Sequence, residues 1–158
     1  MVINRQRRVP VVSPSLEQFF ARLTRLLHLS PEAATVCLVT DAQIARWNRI
    51  YRGRAKPTDV LSFPAEAVAT KTRAARNGSK AARGSRSSVP RNGSYLGDIA
   101  IAPAVARRNA QQSGRPFDAE MRTLMLHGVL HLLGYDHETD SGEMERLERR
   151  LRRQLGIQ

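Results

Sequence analysis

Residues 127–137 read His127-Gly128-Val129-Leu130-His131-Leu132-Leu133-Gly134-Tyr135-Asp136-His137. Residues four apart on an α-helix share a face, so His127 and His131 point the same way. Phe117 to Leu133 is apolar nearly all round, which predicts a helix buried inside a domain. Gly134 has no Cβ to oppose a left-handed backbone, so it can end that helix and turn the chain back. His137 is then carried toward the first two rings. Three imidazoles converging from one side leave a fourth position open, the arrangement of a catalytic zinc site with a bound water of lowered pKa. As core histidines without partners, two buried imidazoles would each cost about 1–3 kcal/mol. A metal removes that cost, and three of the four histidines fall within this segment. His28 lacks such company and reads as a structural or surface residue.

Outward from this segment, helical and β patterns interleave. Val2 to Val12 reads as an edge strand broken at Pro10. Ser13-Pro14 predicts a helix start with Ser13 as N-cap, followed by Leu16, Phe19, Phe20, Leu23, Leu26 and Leu27 at helical spacing. Ala34 to Thr40 reads as a buried strand. Asp41 is positioned to cap a second helix with Ile44, Trp47 and Tyr51 on one face. Asp59 to Phe63 and Tyr95 to Ala102 read as strands. Pro103 opens a helix to about Gln112. Asp140 with Glu143 forms a capping pair for a last helix that turns Met144, Leu147, Leu151 and Leu155 inward. The fold class expected is a small α+β domain with a mixed sheet of about four strands.

The 158 residues suffice for one domain, or a domain and a tail, and 41% hydrophobic content supplies a core. No apolar run approaches the roughly 18 residues that cross a bilayer. Cys37 is the only cysteine, which excludes an internal disulfide framework and a multi-cysteine metal cluster. The first residues carry no apolar signal core, so a reduced, cytoplasmic location is expected. The formal charge of +12 favours a polyanionic partner, nucleic acid before an anionic membrane surface. Half of that charge lies in residues 66–94, where Lys71, Arg73, Arg76, Lys80, Arg83, Arg86 and Arg91 face one acid, Glu66. This Ala-, Gly- and Ser-rich stretch buries too little surface to offset its ordering entropy and reads as a flexible basic insertion. It is either a solvated loop without a partner or an arm that raises RNA affinity in a salt-sensitive way.

The spacing H-x3-H-x2-G-x2-H also fits the metzincin pattern, but Gly128 stands where those peptidases carry their general-base Glu. A peptidase is therefore disfavoured. A glycine inside a helix suggests close approach by substrate or by neighbouring backbone. Asp136 is a candidate base, a carboxylate that orients a ligand imidazole, or a turn cap. Arg52 ends the second helix before Gly53, where its guanidinium could fork onto a phosphate or simply face the helix dipole. Asp98, inside a strand, could pair with a base, bind a ligand histidine or face solvent.

Three blocks of this chain together resemble one family. They are His127 to His137, Asn48 to Pro64 (NRIYRGRAKPTDVLSFP), and Leu96-Gly97-Asp98-Ile99. Taken in chain order they are similar to the YbeY endoribonuclease and rRNA maturation factor family. The resemblance spans most of the chain outside 66–94, where the long basic loop departs from the family pattern. It implies a zincin-like α+β fold across residues 1–158, and one zinc ion on His127, His131 and His137, with Arg52 as the substrate-site arginine. It also implies single-strand RNA cleavage in maturation of ribosomal RNA, notably at the small-subunit 3′ end, and ribosome quality control. A different class of function is a non-catalytic rRNA-binding assembly factor with a structural zinc. Structural sites close their fourth position with protein. No fourth Cys or His lies near the motif, although an Asp or Glu could serve.

Overall fold

The computed structural model describes residues 1–65, 94–137 and 139–157. The basic insertion expected at 66–94 lies outside the described residues, save its last. Four strands, β1 (Val2–Asn4), β2 (Ala34–Leu38), β3 (Val60–Pro64) and β4 (Gly97–Ile101), form one mixed sheet in the order β1-β2-β4-β3. β1, β2 and β4 run parallel, and β3 closes one edge antiparallel to β4. The helices among the described residues are α1 (Ser13–Leu26), α2 (Asp41–Arg52), α3 (Pro103–Ser113), α4 (Phe117–Leu132) and α5 (Glu143–Leu155). The expected α+β class with a four-stranded mixed sheet is what the chain adopts.

Alternation along the strands divides the apolar side chains between two faces. Val36, Ile99 and Ile101 join Leu16, Phe19 and Leu23 of α1 and Met125, Leu126 and Leu130 of α4 in the main core. Met144, Leu151 and Leu155 of α5 close that core. A second cluster holds Leu61, Ala100 and Ala102 against Ile44 of α2, with Trp47 and Phe63 packed on it. Trp47 and Tyr51 both set their rings edge-on to Phe63. α4 therefore lies within the protein, as its continuous apolar sequence requires, and it brings the histidine segment to the edge that β3 forms.

Several local expectations shift. β1 stops at Asn4 because the next turn closes on a buried side chain. The Gln6 amide donates to the Val9 carbonyl (2.9 Å) and accepts from the Val9 amide (2.8 Å), standing in for a strand partner. The N-cap of α1 is Val12, whose carbonyl receives the Ser15 and Leu16 amides, so Ser13 is already helical. The cap of α2 is Thr40 rather than Asp41. Its hydroxyl accepts from the Gln43 amide at 3.2 Å in a reciprocal capping box. The N-cap of α5 is Gly142 rather than Asp140, and Glu143 is already helical, but the Asp140 carboxylate still accepts from the amides of Gly142, Glu143 and Met144.

Candidate metal centre

α4 ends in the turn its sequence predicts. Gly134 takes φ +93°. The Tyr135 amide donates to Leu130 (3.1 Å) and the Gly134 amide to His131 (3.0 Å), the paired bonds of a Schellman cap. Beyond it, the Asp136 carbonyl accepts the amides of Thr139 and Asp140 and holds the reversal. His137 is thereby delivered beside the helix. The His127 and His131 ring centroids are 4.6 Å apart, and His137 lies 5.7 and 5.4 Å from them. One nitrogen from each ring lies within 4.8 Å of the other two. The structure thus brings together all three histidines that the sequence singles out.

The proton positions follow from a fourth side chain. His127 Nδ1 lies 3.1 Å from Glu148 Oε2 on α5. An ionised carboxylate only accepts, so Nδ1 carries the proton and the lone pair is left on His127 Nε2. That atom faces His131 Nε2 at 3.0 Å. Two ring nitrogens so close need either one shared proton or one shared cation between them. Burial, then the neighbouring His127 and His137 and, more weakly, Arg52, lower the His131 pKa from its ordinary 6.5, against the opposing pull of Asp136. His131 is therefore neutral at pH 7 and able to ligate. Three imidazoles with a carboxylate behind one of them are a donor set that suits zinc, copper, nickel or iron. If Glu148 orients its ring for a metal, Glu148→Gln should weaken metal affinity about 10- to 100-fold. Chelator competition would measure the loss, while the melting temperature stays near that of the parent.

The three rings and Asp136 line a cleft of about 480 Å³ together with Arg52, Arg54, Thr58, Asp59, Val60 and Ser62. Each wall is fixed by polar bonds. α2 stops at Gly53 (φ +67°), and buried Asn48 donates to the Lys56 carbonyl at 2.7 Å, which pins the loop that follows Arg52. Asp59 accepts from Asn109 (3.1 Å) and from the Val60 amide (2.9 Å). The Ser62 hydroxyl donates to the Gly128 carbonyl at 3.1 Å and ties β3 to the histidine-bearing helix. Arg52 and Arg54 are exposed and make no ion pair among the described residues.

Other expectations resolve here. A Cβ at Gly128 would lie 2.7 Å from Cγ2 of Ile99, so what approaches the glycine closely within the fold is a side chain of β4 and not a neighbouring backbone. Asp98 is exposed and accepts from the Tyr95 hydroxyl at 2.6 Å, and it does not line the cleft. His28 lies beyond α1 at φ +55° and lines a separate pocket with Arg22 and Arg25. Glu148 and Arg54 are site residues that the motifs do not single out. A signal for Glu148 exists: it falls four residues after Met144, a carboxylate within the inward stripe of α5.

Residues 2–156 match the family model described as Endoribonuclease YbeY. The "Endoribonuclease YbeY" of Solibacter usitatus is 38% identical over 154 residues, covering 96% of this chain and 86% of that protein. Its namesake from Sinorhizobium medicae is 42% identical over 151 residues, with 93% and 79% covered. Against that of Rhodopseudomonas palustris (strain BisA53), identity is 46% over 125 residues, and the chain spans 63% of that relative's length. Among solved structures, the solution structure of TM1509 from Thermotoga maritima matches with a TM-score of 0.58 and 26% identity, covering 98% of this chain and 89% of that one.

Proposed function

The chain belongs to the Endoribonuclease YbeY family, and from that premise we propose that the three-histidine cleft is its catalytic centre. It is an endoribonuclease of ribosomal RNA processing, a hydrolase of RNA phosphodiester bonds. The finer reading is one zinc ion on His127, His131 and His137, and a single-stranded substrate at the small-subunit rRNA 3′ end. Cytoplasmic action on the ribosome, including its quality control, completes the proposal, with residues 1–158 as one hydrolase domain. No described helix is long and apolar enough to cross a membrane.

The observation that carries this reading is the pairing of three convergent imidazoles with two uncommitted guanidiniums in one cleft. A cation held by the imidazoles supplies Lewis acidity and a water that ionises near neutral pH. The chain's own groups do the rest. Arg52 and Arg54 attract a phosphodiester into the cleft, and a guanidinium can fork onto two of its oxygens. Charge that builds on those oxygens during displacement is then met by groups already in place. The Asp136 carboxylate, beside the rings, opposes the other charges that make His131 harder to protonate. Glu148 holds the His127 ring in its ligating tautomer.

The test is cleavage of a labelled single-stranded RNA by zinc-loaded protein. Arg52→Ala should keep its zinc and its melting temperature, yet lose activity by ~100-fold, as for removal of a single oxyanion-stabilising donor. Parent-like cleavage by this variant would remove Arg52 from the chemistry. Failure of the loaded parent to cut RNA would overturn the nuclease reading.

A further inference from the structure

A second groove, also of about 480 Å³, shares His127 and His137 with the first. It is lined by His127, His137, Met144, Glu145, Glu148, Arg149 and Arg152. Two of the rings thus belong to both grooves, and the candidate metal centre forms the saddle between them. The outer wall is one face of α5, since residues 145, 148, 149 and 152 follow helical i, i+3, i+4, i+7 spacing.

The acids in this groove are already committed. Glu148 pairs with His127 Nδ1. Glu145 pairs with Arg149 one turn away. Arg152 makes no ion pair among the described residues, so it is the free cation of the second groove. Arg52 and Arg54 hold the same status in the first. Each of the two grooves that meet at His127 and His137 therefore carries a free guanidinium, a layout that suits a polyanion longer than one phosphate.

We infer that the α5 groove is a backbone subsite for the same RNA strand. A strand whose scissile phosphate faces Arg52 continues over His127 and His137, and Arg152 binds a phosphate beyond the cleavage point. This rests on the nuclease reading and adds a direction to it: the strand crosses the saddle instead of ending in the first cleft. Arg152 binds ground state and transition state alike, so its contribution belongs in KM rather than in kcat.

The experiment is steady-state cleavage of a labelled oligouridylate 12-mer by the zinc-loaded chain, at several KCl concentrations. Arg152→Ala should raise KM several-fold, with most of kcat retained. The dependence of log kcat/KM on log salt should become shallower by about 0.7, the share of one phosphate contact on a single strand. Arg152→Gln should do the same, which guards against a packing defect specific to alanine. Arg8→Ala removes the same charge from the exposed segment after β1, at the sheet edge remote from β3. It should leave both quantities as in the parent. Arg152 variants that match Arg8→Ala while the parent cleaves RNA overturn this inference alone. A loaded parent that leaves RNA intact overturns the nuclease reading, and the subsite with it.

Discussion

His131→Ala should abolish RNA cleavage and empty the metal site while leaving the protein folded. His131 sits at the centre of the trio, with its Nε2 3.0 Å from His127 Nε2. Burial and the neighbouring rings keep it neutral, the state a ligand needs. Without it, two imidazoles remain, one of them on the exposed turn. A bound metal contributes several kcal/mol to hydrolysis, and each 1.36 kcal/mol is tenfold in rate. The expected loss is therefore on the order of a thousandfold or more. Elemental analysis should find zinc falling from one equivalent in the parent to near none in the variant. Chelation of the parent should reproduce the loss, and added zinc should restore the parent but not the variant. The melting temperature separates the two classes of function. A structural zinc contributes folding energy outright, so its loss would unfold or sharply destabilise the chain. The core around α4 is built from Met121, Leu124, Met125, Leu126, Val129 and Leu130 without the rings, so the variant should melt close to the metal-free parent. An unfolded His131→Ala chain would favour the assembly factor. A folded one that retains zinc and cuts RNA at the parent rate would end the hydrolytic case.

What the sequence discloses about this site is what local geometry controls. His127 and His131 share a face because a helix repeats every 3.6 residues, and Gly134 marks the turn because only its backbone tolerates φ +93° cheaply. Those two rules are enough to assemble the trio. Glu148 escapes them because its partner is chosen by how α5 packs across α4, which no spacing along either helix specifies. Gly128 shows the same limit. Its smallness is visible, but the neighbour that demands it, Ile99, lies on a strand almost thirty residues earlier. The sheet follows this division too. The strands and their mixed class can be read from alternation and breaks, whereas the order β1-β2-β4-β3 depends on long-range pairing. End effects are misread for a related reason. Thr40 and Asp41 are both good caps, and the reciprocal bond from Gln43 decides between them.

Gly97→Ala should be the most destabilising single-methyl change among the described glycines. Gly97 opens β4 at φ +140° and pairs with Ala34 on one side and Pro64 on the other. A Cβ there would sit 2.1 Å from the Phe63 carbonyl oxygen and 2.9 Å from the Ala65 amide nitrogen. Both are backbone atoms of the neighbouring strand and its end, so no rotamer change relieves the clash. Gly128 is the useful contrast. Its nearest obstacle is the Ile99 side chain at 2.7 Å, and alanine recovers roughly 1 kcal/mol of helix propensity there. Gly97→Ala has no such offset: it adds about 1–3 kcal/mol of backbone strain to an overpacking cost of about 1–3 kcal/mol or more. At roughly 2–4 °C per kcal/mol for a chain of this size, the melting temperature should fall by about 5–20 °C, and by more than in Gly128→Ala. The damage should also reach the cleft, because the strand pushed away is β3, whose Val60 and Ser62 line it. With β3 displaced, the Ser62 bond to the Gly128 carbonyl loses its register, and RNA cleavage should fall even at temperatures where the variant is folded. Thermal melts of both variants beside cleavage at low temperature check the argument. A Gly97→Ala chain that melts with the parent would mean that β3 is not fixed against β4 at this point, and that the position of the cleft wall is set elsewhere.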